Sequence, residues 1–343
     1  MSTRASSAAM LTARGAVSRA LADVPPGELV LVACSGGPDS LALAGVTSWV
    51  AGQRGLRTHG VIVDHGLQAD SAQIAAWAAH VCSRLGLDDC TVRRVVVGVD
   101  GGPEAAARAA RYAALESVAV ELDAATVLLG HTREDQAETV LLRLGRGSGA
   151  RSLSGMRARS GPWRRPFLAV SRAEVRVAAA DLLAPLGEHA WTDPHNDDPA
   201  FARVRVRALL DDLVAAVGPG AVLGLSRTAD LLRDDADALD DWAGREGHRL
   251  IVMAPGEIAA DCGDLAALPR AIRTRVIRRM CIVAGSPADQ LTVDHVGRVE
   301  EFVTDWRGQG EASLPGAVVA DRAYGRLCLR SVRASHGTET QTE

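Results

Sequence analysis

The sequence predicts an α/β protein with a doubly wound, mostly parallel sheet and a second, smaller, mainly helical domain. Two observations lead to this class. Through residues 28–144, short apolar runs alternate with helical runs, a pattern typical of a parallel sheet with helices on both faces. With 343 residues, 47% of them hydrophobic, the chain is also long enough to bury two cores.

The first half carries four strand signals and four helix signals in alternation. An amphipathic surface helix at 9–22 is predicted to precede them, rather than a leader segment with an apolar core. In sheets of this kind, ligands bind at the carboxyl ends of the strands. The predicted strands are 28–34, 58–64, 91–99 and 125–130, and the predicted helices are 39–50, 71–85, 103–119 and 134–144.

The second half begins near the VGPG sequence at 217–220. We expect a first domain at 1–216, a helical domain at 217–333 and a polar, disordered tail at 334–343. The predicted helices are 223–244, 268–285 and 293–306, followed by a hairpin at 314–330.

Composition excludes several classes of chemistry. All 38 basic residues are arginines, so a Walker A loop and a lysine nucleophile are excluded. The six cysteines form no CxxC pair and no cluster with histidine, which disfavours a zinc site or a disulfide framework. Since no run of about 18 uncharged apolar residues occurs, we expect a cytoplasmic protein without a membrane partner.

Charge is unevenly distributed along the chain. The net charge is −4, yet residues 139–173 contain eight arginines and no acid. Residues 145–166 are rich in Gly, Ser and Arg and are predicted to form a long loop. This run is either a solvated basic face or a surface that binds nucleic acid.

The stretch Ser35-Gly36-Gly37-Pro38-Asp39-Ser40 joins the first strand to the first sheet helix. Glycines at this point allow a sharp turn, and the backbone N–H groups at the start of the helix attract phosphate. The two serines add hydroxyl donors, and Asp39 is placed to hold Mg²⁺ against a polyphosphate. The alternative is an ordinary glycine-rich turn with a capping aspartate.

The SGGPDS stretch resembles the SGGxDS signature of the N-type ATP pyrophosphatases, whose fold is adenine nucleotide α-hydrolase-like. Within that superfamily the chain is similar to the tRNA(Ile)-lysidine synthases over 35–207. Further motifs in the same order carry the resemblance: VDHGL at 63–67, EAAARAARYAAL at 104–115, GHTREDQAETVLLRLGRGSG at 130–149, LSGM at 153–156, RRPFL at 164–168 and WTDPHNDDPAFARVRVR at 191–207. Val204 stands where the family often has asparagine, which puts any contact made by that asparagine in doubt.

The resemblance implies a reaction with ATP, Mg²⁺, free L-lysine and tRNA(Ile) with a CAU anticodon. ATP would adenylate the wobble cytidine at O2 with loss of pyrophosphate, and the lysine amine would then displace AMP at C2. The residues 35–40 would bind the phosphates, and the adenine would lie over Val63-Asp64-His65 near Gly130. The helical domain at 217–333 would contact the tRNA, and a homodimer is left open.

The resemblance also implies the catalytic set, which consists of Asp39, Arg111, His131, Asp135 and Glu138. Spacing alone predicts that His131, Asp135 and Glu138 lie on one helix face. A zinc site there would have a single histidine, so magnesium held by Asp39 and Asp135 fits better. Glu138 would help to hold the charged groups of lysine, and Arg111 would contact the α-phosphate or the tRNA backbone.

Two rival functions remain at this stage. A tRNA-thiolating enzyme of the same superfamily would commonly use catalytic cysteines or a CxxC-bound cluster, and this chain lacks that spacing. A non-catalytic module that binds tRNA or nucleotide would not be expected to keep Asp39, Asp135 and Glu138 together. Release of AMP that depends on both tRNA and lysine separates these alternatives.

Overall fold

The computed structural model describes residues 7–68, 70–98, 102–145, 149–194 and 198–332, without the side chain of Pro103. The predicted tail at 334–343 and Arg146 of the arginine run therefore lie outside the described residues. The chain divides into two compact units, Met1–Leu232 and Arg233–Glu343. A start of the second domain at residue 217 stays a prediction.

The first unit contains a six-stranded sheet in the order β3-β2-β1-β4-β6-β5. All neighbouring strands are parallel except β5 and β6, which form an antiparallel pair. Chain order reverses at the central strand β1, which pairs with β2 on one side and β4 on the other. The strands are β1 (Leu29–Cys34), β2 (Arg57–Asp64), β3 (Asp89–Arg94), β4 (Thr126–Leu128), β5 (Arg159–Ser160) and β6 (Trp163–Arg164).

Helices cover both faces of this sheet, which confirms the doubly wound class. Val30 and Val32 of β1 are buried in a core with α1, α2, α3 and α7, whereas Leu29 and Leu31 are buried on the opposite face with α4. The helices are α1 (Ala8–Ala20), α2 (Pro38–Arg54), α3 (Ser71–Arg84), α4 (Pro103–Glu121), α5 (Arg133–Leu144), α6 (Ala150–Leu153), α7 (Arg172–Leu183) and α8 (Ala202–Val217).

Most predicted elements of the first unit are confirmed within a few residues, with three differences. The N-terminal helix is not only a surface helix, because Ala13 and Val17 are fully buried in the core. The stretch 145–166 is not a continuous loop, since it contains α6 and the pair β5–β6. The helices α7 and α8 were not predicted.

The second unit combines helices with a sheet of its own. The strands run in the order β7-β8-β11-β10-β9 and are all antiparallel. The predicted hairpin is confirmed as the pair β10–β11, with Ala323 opposite Arg326. The helix α9 (Ala221–Leu250) begins in the first unit and ends in the second. The other elements of the second unit are β7 (Val252–Ala254), β8 (Glu257–Asp261), α10 (Cys262–Ala267), α11 (Arg270–Val283), α12 (Val293–Thr304), β9 (Ala312–Leu314), β10 (Val318–Ala323) and β11 (Arg326–Ser331).

The length and hydropathy of the helices show which of them could span a membrane. Within the described ranges no single helix is long and apolar enough to cross a membrane. The pair α8 and α9 meets the criteria of length and composition only when joined across a bend of 107°.

Candidate active site

The turn between β1 and α2 lies at the carboxyl end of the central strand. Gly36 has a φ of +81°, and a Cβ there would lie 3.0 Å from the ring of Trp77, so this position requires glycine. Gly37 has a φ of −75° and precedes the first helical residue, Pro38, so it does not need the left-handed region. The turn therefore directs the first N–H groups of a long helix to one point, which is a geometry suited to phosphate.

Ser40 braces this turn from inside. Its hydroxyl donates to the Gly37 carbonyl at 2.9 Å and accepts from the Ser35 N–H at 3.1 Å. Ser40 is 6% exposed, whereas Ser35 is exposed at the surface of the turn. Ser40 thus shapes the turn, and its hydroxyl lies 3.3 Å from that of Ser35, so the role of both serines as donors to a ligand stays a prediction.

A cavity of about 560 Å³ opens beside the turn. Its walls bring together two of the predicted groups, Ser35, Gly37 and Pro38 from the turn and Val63, Asp64 and His65 from the end of β2. Arg111 of α4 also lines it. Asp39, Gly130, His131, Asp135 and Glu138 are not among its lining residues.

The end of β2 is fixed by Asp64, which is 5% exposed. Its Oδ1 accepts a hydrogen bond from the N–H of Gly66 at 2.9 Å. Burial alone would raise the pKa of Asp64, but the hydrogen bonds from Gly66 and Ser71 and the charge of Arg94 leave it below its ordinary value. The carboxylate is thus committed to the loop, and the cavity wall is rigid at this point.

Gly130 lies where β4 approaches the start of α2. A Cβ at this position would lie 3.1 Å from the carbonyl oxygen of Asp39 and 3.4 Å from the N–H nitrogen of Ser40. Because both neighbours are backbone atoms, a side chain would displace the turn. This contact accounts for the glycine and brings the residues that follow β4 next to Asp39.

The helix that carries Asp135 and Glu138 begins at Arg133, so the prediction that His131 shares its face is wrong. Thr132 is the N-cap, and Asp135 closes a capping box, accepting from the Thr132 N–H at 2.6 Å and from its hydroxyl at 2.9 Å. His131 lies in the segment before the cap. It still lies near Asp135, whose charge acts on the imidazole.

Asp135 and Glu138 share the guanidinium of Arg172. Its Nη2 donates to Asp135 Oδ1 at 2.7 Å and to Glu138 Oε1 at 3.0 Å, and Arg207 donates to the same Glu138 oxygen at 3.2 Å. Glu138 is 2% exposed. Two arginines therefore compensate two carboxylates in a partly buried cluster.

Asp39 lies beside this cluster, and its Oδ1 is buried and accepts no hydrogen bond from the described residues. Burial, together with the charge of Asp135, raises the pKa of Asp39 to about 6, although Arg172 and Arg176 oppose the shift. An unpartnered carboxylate oxygen next to a second carboxylate is an arrangement that a cation stabilises.

The arrangement fits Mg²⁺ better than a metal held by protein alone. Among the described residues no group of three or more His, Cys, Asp or Glu side chains forms a metal site. Mg²⁺ is commonly bound by one or two carboxylates with phosphate and water as the other ligands, which is what Asp39 and Asp135 could provide beside a phosphate-binding turn.

His131 is neutral at physiological pH. The pKa of His131 is lowered to about 3, mainly because the imidazole is buried. The charges of Arg111, Arg165 and Arg108 lower the pKa further, and together these effects exceed the opposite effect of Asp135. Nδ1 of His131 is buried and has no hydrogen-bond partner in the part of the chain that the structure describes. The imidazole is consequently a hydrogen-bonding group and a weak base.

Part of the arginine run is internal: of its seven described arginines, two are buried, three are half-buried and two are exposed. Arg164 is 6% exposed and pairs with Asp23 at 2.5 Å, which Arg159 also contacts. Arg143 donates to the carbonyls of Ser152 and Gly155. The acids that compensate the run come from elsewhere in the sequence, so the local count of charges was misleading.

Several residues at the site escaped sequence reasoning. Arg172 and Arg176 belong to α7, and Trp191 and Asp193, which line the cavity, belong to the segment after it. The N–H of Trp191 donates to the Gly36 carbonyl at 3.0 Å and ties this segment to the turn. The WTDP motif was the signal for that segment, whereas Arg172 had none beyond its place in the run.

The comparisons with known proteins identify the family of the chain. Residues 12–213 match the model of a PP-loop domain, and residues 261–328 match that of a TilS substrate binding domain. The tRNA(Ile)-lysidine synthase of Thermobifida fusca is 55% identical over 92% of this chain and 96% of its own. That of Streptomyces coelicolor is 51% identical over 90% of this chain and 86% of its own.

A solved structure supports the fold alone. The U34-tRNA thiolase NcsA from Methanococcus maripaludis, with its [4Fe-4S] cluster, superposes with a TM-score of 0.55 at 19% identity. It covers 66% of this chain and 80% of its own. The thiolase alternative therefore rests on fold only, while the relatives that align over nearly the whole chain share one name. The chain belongs to the tRNA(Ile)-lysidine synthase family.

Proposed function

We propose that this chain uses ATP to join free L-lysine to C2 of the wobble cytidine of tRNA(Ile) with a CAU anticodon. The cytidine O2 attacks the α-phosphorus, and pyrophosphate leaves. The lysine amine then attacks C2, and AMP leaves. One observation carries the proposal. Asp39, which follows the turn between β1 and α2, lies close to the cluster formed by Asp135, Arg172 and Glu138.

ATP binds in the cavity beside the turn. Its phosphates accept hydrogen bonds from the N–H groups at the start of α2, where the helix dipole stabilises the charge that accumulates on pyrophosphate. The base lies against the backbone of Val63-Asp64-His65, which lines the same cavity. Arg111, on its wall, is positioned for the α-phosphate.

Asp39 and Asp135 would hold Mg²⁺ together with the phosphates of ATP. The unpartnered Oδ1 of Asp39 supports this assignment, and Asp135 shares its electrostatic environment. When bound, the ion would neutralise phosphate charge in the transition state. The protein's own part is to keep both carboxylates in place, through the start of α2 and the capping box of α5.

Lysine is held by the carboxylates of α5. Glu138 is nearly inaccessible and already paired with Arg172 and Arg207, so an incoming ammonium group would share these charges with the arginines. His131, a weak base with an unpartnered Nδ1, is suited to hydrogen-bond the cytosine rather than to remove a proton.

The test is a complete reaction with purified protein, Mg-ATP, radiolabelled lysine and a tRNA(Ile) transcript with a CAU anticodon. We expect AMP and pyrophosphate in equal amounts with lysine incorporated, and no incorporation when any component is omitted. A tRNA(Met) transcript, which has the same anticodon, is the matched control for recognition beyond the anticodon. Formation of AMP without lysine incorporation, or no pyrophosphate at all, would contradict the proposal.

A further inference from the structure

Two arginines converge on a single neutral oxygen at one side of α4. The hydroxyl of Tyr112 accepts hydrogen bonds from Nη2 of Arg108 at 3.1 Å and from Nη2 of Arg165 at 3.3 Å. Arg108 also lies over the ring of Tyr112, 4.8 Å from its centroid. The ring is fixed by an edge contact with Trp163, with centroids 4.9 Å apart. The two guanidinium groups are therefore held close together.

These guanidinium groups have no carboxylate partner within the described part of the chain. Arg165 is 8% exposed, donates to the Arg157 carbonyl at 2.9 Å and leaves its Nε buried and unpartnered. Arg203, the next arginine in this region, is neutralised by Glu104 at 3.0 Å.

Positive charge is therefore concentrated at Arg108 and Arg165, and no carboxylate of the described residues pairs with either of them. Burial lowers the pKa of Arg108, and Arg203, Arg111 and Arg165 lower it further, although Tyr112 acts in the opposite direction. Holding like charges together away from water is costly unless an anion neutralises them. The free protein thus carries a cost that a bound anion would remove.

We infer that Arg108 and Arg165, braced by the hydroxyl of Tyr112, form a clamp for one phosphodiester group of the tRNA. Guanidinium groups bind phosphate through their N–H donors, and the shared hydroxyl of Tyr112 holds Nη2 of both arginines within reach of one phosphate. The inference rests on the proposed function, since it takes the polynucleotide to be the tRNA substrate.

A phosphate of ATP is the other source of the same chemistry. Arg111 lines the nucleotide cavity, but Arg108 and Arg165 do not. Both do act on His131, which we assign to the cytosine. The clamp therefore lies toward the polynucleotide side of the site, and the phosphate it holds belongs to the RNA.

Binding of tRNA without ATP tests the clamp directly. Affinity of Arg108→Gln, Arg165→Gln and the exposed α1 control Arg19→Gln is measured across a series of salt concentrations. We expect a loss of about tenfold for each clamp variant, because each loses a charge-assisted hydrogen bond. The slope of log affinity against log salt should fall by about 0.7 for the clamp variants and stay unchanged for the control.

Tyr112→Phe separates positioning from charge. It keeps both arginines and the packing on Trp163, so we expect about threefold weaker binding with an unchanged salt slope. If Arg165→Gln fails to fold, Arg108→Gln and Tyr112→Phe still decide the question. Equal affinity and slope in these two variants and in the wild type would overturn the clamp.

A shared phosphate also predicts non-additive losses. The double variant Arg108→Gln/Arg165→Gln should lose less than the product of the single losses, since both act on one group. A tRNA with a neutral methylphosphonate at the right linkage near the anticodon should abolish the effect of Arg108→Gln. Additive losses with no sensitive linkage would contradict a single phosphate.

Measurement of ATP binding shows whether the clamp holds a phosphate of the RNA or a phosphate of ATP. It also separates a test of the clamp from a test of the proposed reaction. Affinity for an ATP analogue should be equal in wild type and Arg108→Gln, and a tenfold loss there would assign the clamp to ATP instead. The clamp is measured by tRNA binding alone, whereas the proposed reaction is measured by lysine incorporation with the wild type. If one of the two measurements contradicts its proposal, the other can still be interpreted.

Discussion

Nη2 of Arg172 lies 2.7 Å from Oδ1 of Asp135. The other oxygen of the same carboxylate is bound by the N-cap of α5. Asp135 is therefore held on both sides before any ligand arrives. Burial works to raise its pKa, but Arg172 and the N–H of Thr132 leave it below its ordinary value. The carboxylate is kept ionised, as a cation ligand must be.

Replacement of Arg172 by glutamine should reduce activity far more than stability. Asp135 and Glu138 would repel each other and Asp39 without the shared cation, so the carboxylates would shift or take up protons. We expect lysine incorporation to fall at least a hundredfold, and Tm to fall by a few degrees, because the cluster is only partly buried. Incorporation of radiolabelled lysine and a thermal melt measure the two effects.

The matched variant for this test is Arg172→Lys. Lysine keeps the charge but cannot bridge two carboxylates with one planar group, so partial recovery of activity is expected. Recovery equal to wild type would mean that charge alone matters. Full activity in Arg172→Gln would remove the cluster from the mechanism.

Asp39→Asn should stabilise the metal-free protein while abolishing ATP turnover. The folded-state pKa of Asp39, about 6, lies above its ordinary value of 3.8. Such a group binds its proton more tightly in the folded state, so wild-type stability declines as pH rises through this range and the cost is complete above pH 6. We expect the variant to gain about 3 kcal/mol at pH 7 and to lose the gain below pH 4.

Denaturant unfolding in the presence of a chelator, at several pH values, measures this difference. A parallel series with Asp211→Asn, an exposed aspartate of α8, gives the baseline for an ordinary carboxylate. If Asp39→Asn is less stable than wild type at pH 7, the carboxylate has a partner that offsets its burial, and the cation assignment loses its physical basis.

Gly130→Ala should impair catalysis through the backbone. The new Cβ would press on the carbonyl of Asp39 and on the N–H of Ser40, so the turn must move by a few tenths of an ångström. We expect kcat/KM for ATP to fall more than tenfold. The control is Gly52→Ala in α2, which meets nothing within 4 Å and should raise stability by about 0.5 to 1 kcal/mol with unchanged activity. Wild-type kinetics in Gly130→Ala would show that the turn tolerates displacement.

The sheet and its turn were predictable because their signals are local. Four apolar runs alternate with helical runs, and the six residues that predict the Gly36 turn, 35–40, are consecutive in the sequence. Arg172 was not predictable, since its role depends on α7 lying against α5, a contact between residues more than 30 positions apart. The His131 error has the opposite cause, because a capping box at Thr132 overrode the helical spacing.

The second unit also contains elements that depend on partners distant in the sequence. The hairpin β10–β11 has a turn signal in Tyr324-Gly325, and it was found. The strands β7 and β8 are short, and β8 pairs with β11 at a distance of more than 60 residues in sequence. Strands of this kind are stabilised by partners that the local sequence does not reveal.

The second unit offers its own stability test at Glu300, which is 7% exposed. Arg273 donates to Glu300 Oε1 at 2.7 Å and is itself mostly buried, whereas Arg270 lies 3.5 Å away and is 79% exposed. Glu300→Ala should cost about 3 kcal/mol, because it leaves the Arg273 charge buried without its carboxylate. Arg270→Ala removes only the exposed partner of the same carboxylate and should cost less than about 0.5 kcal/mol.

Urea unfolding of both variants, followed by far-ultraviolet circular dichroism, checks this ratio. Arg273 also donates to the Leu268 carbonyl at 2.9 Å, so its guanidinium links α11 and α12 to the end of α10. If this link organises the unit, Glu300→Ala should weaken tRNA binding in proportion to the fraction unfolded and leave ATP binding by the first unit intact. If both variants lose the same free energy of unfolding, solvent exposure does not determine the strength of these ion pairs. The backbone carbonyls alone would then be sufficient hydrogen-bond partners for Arg273.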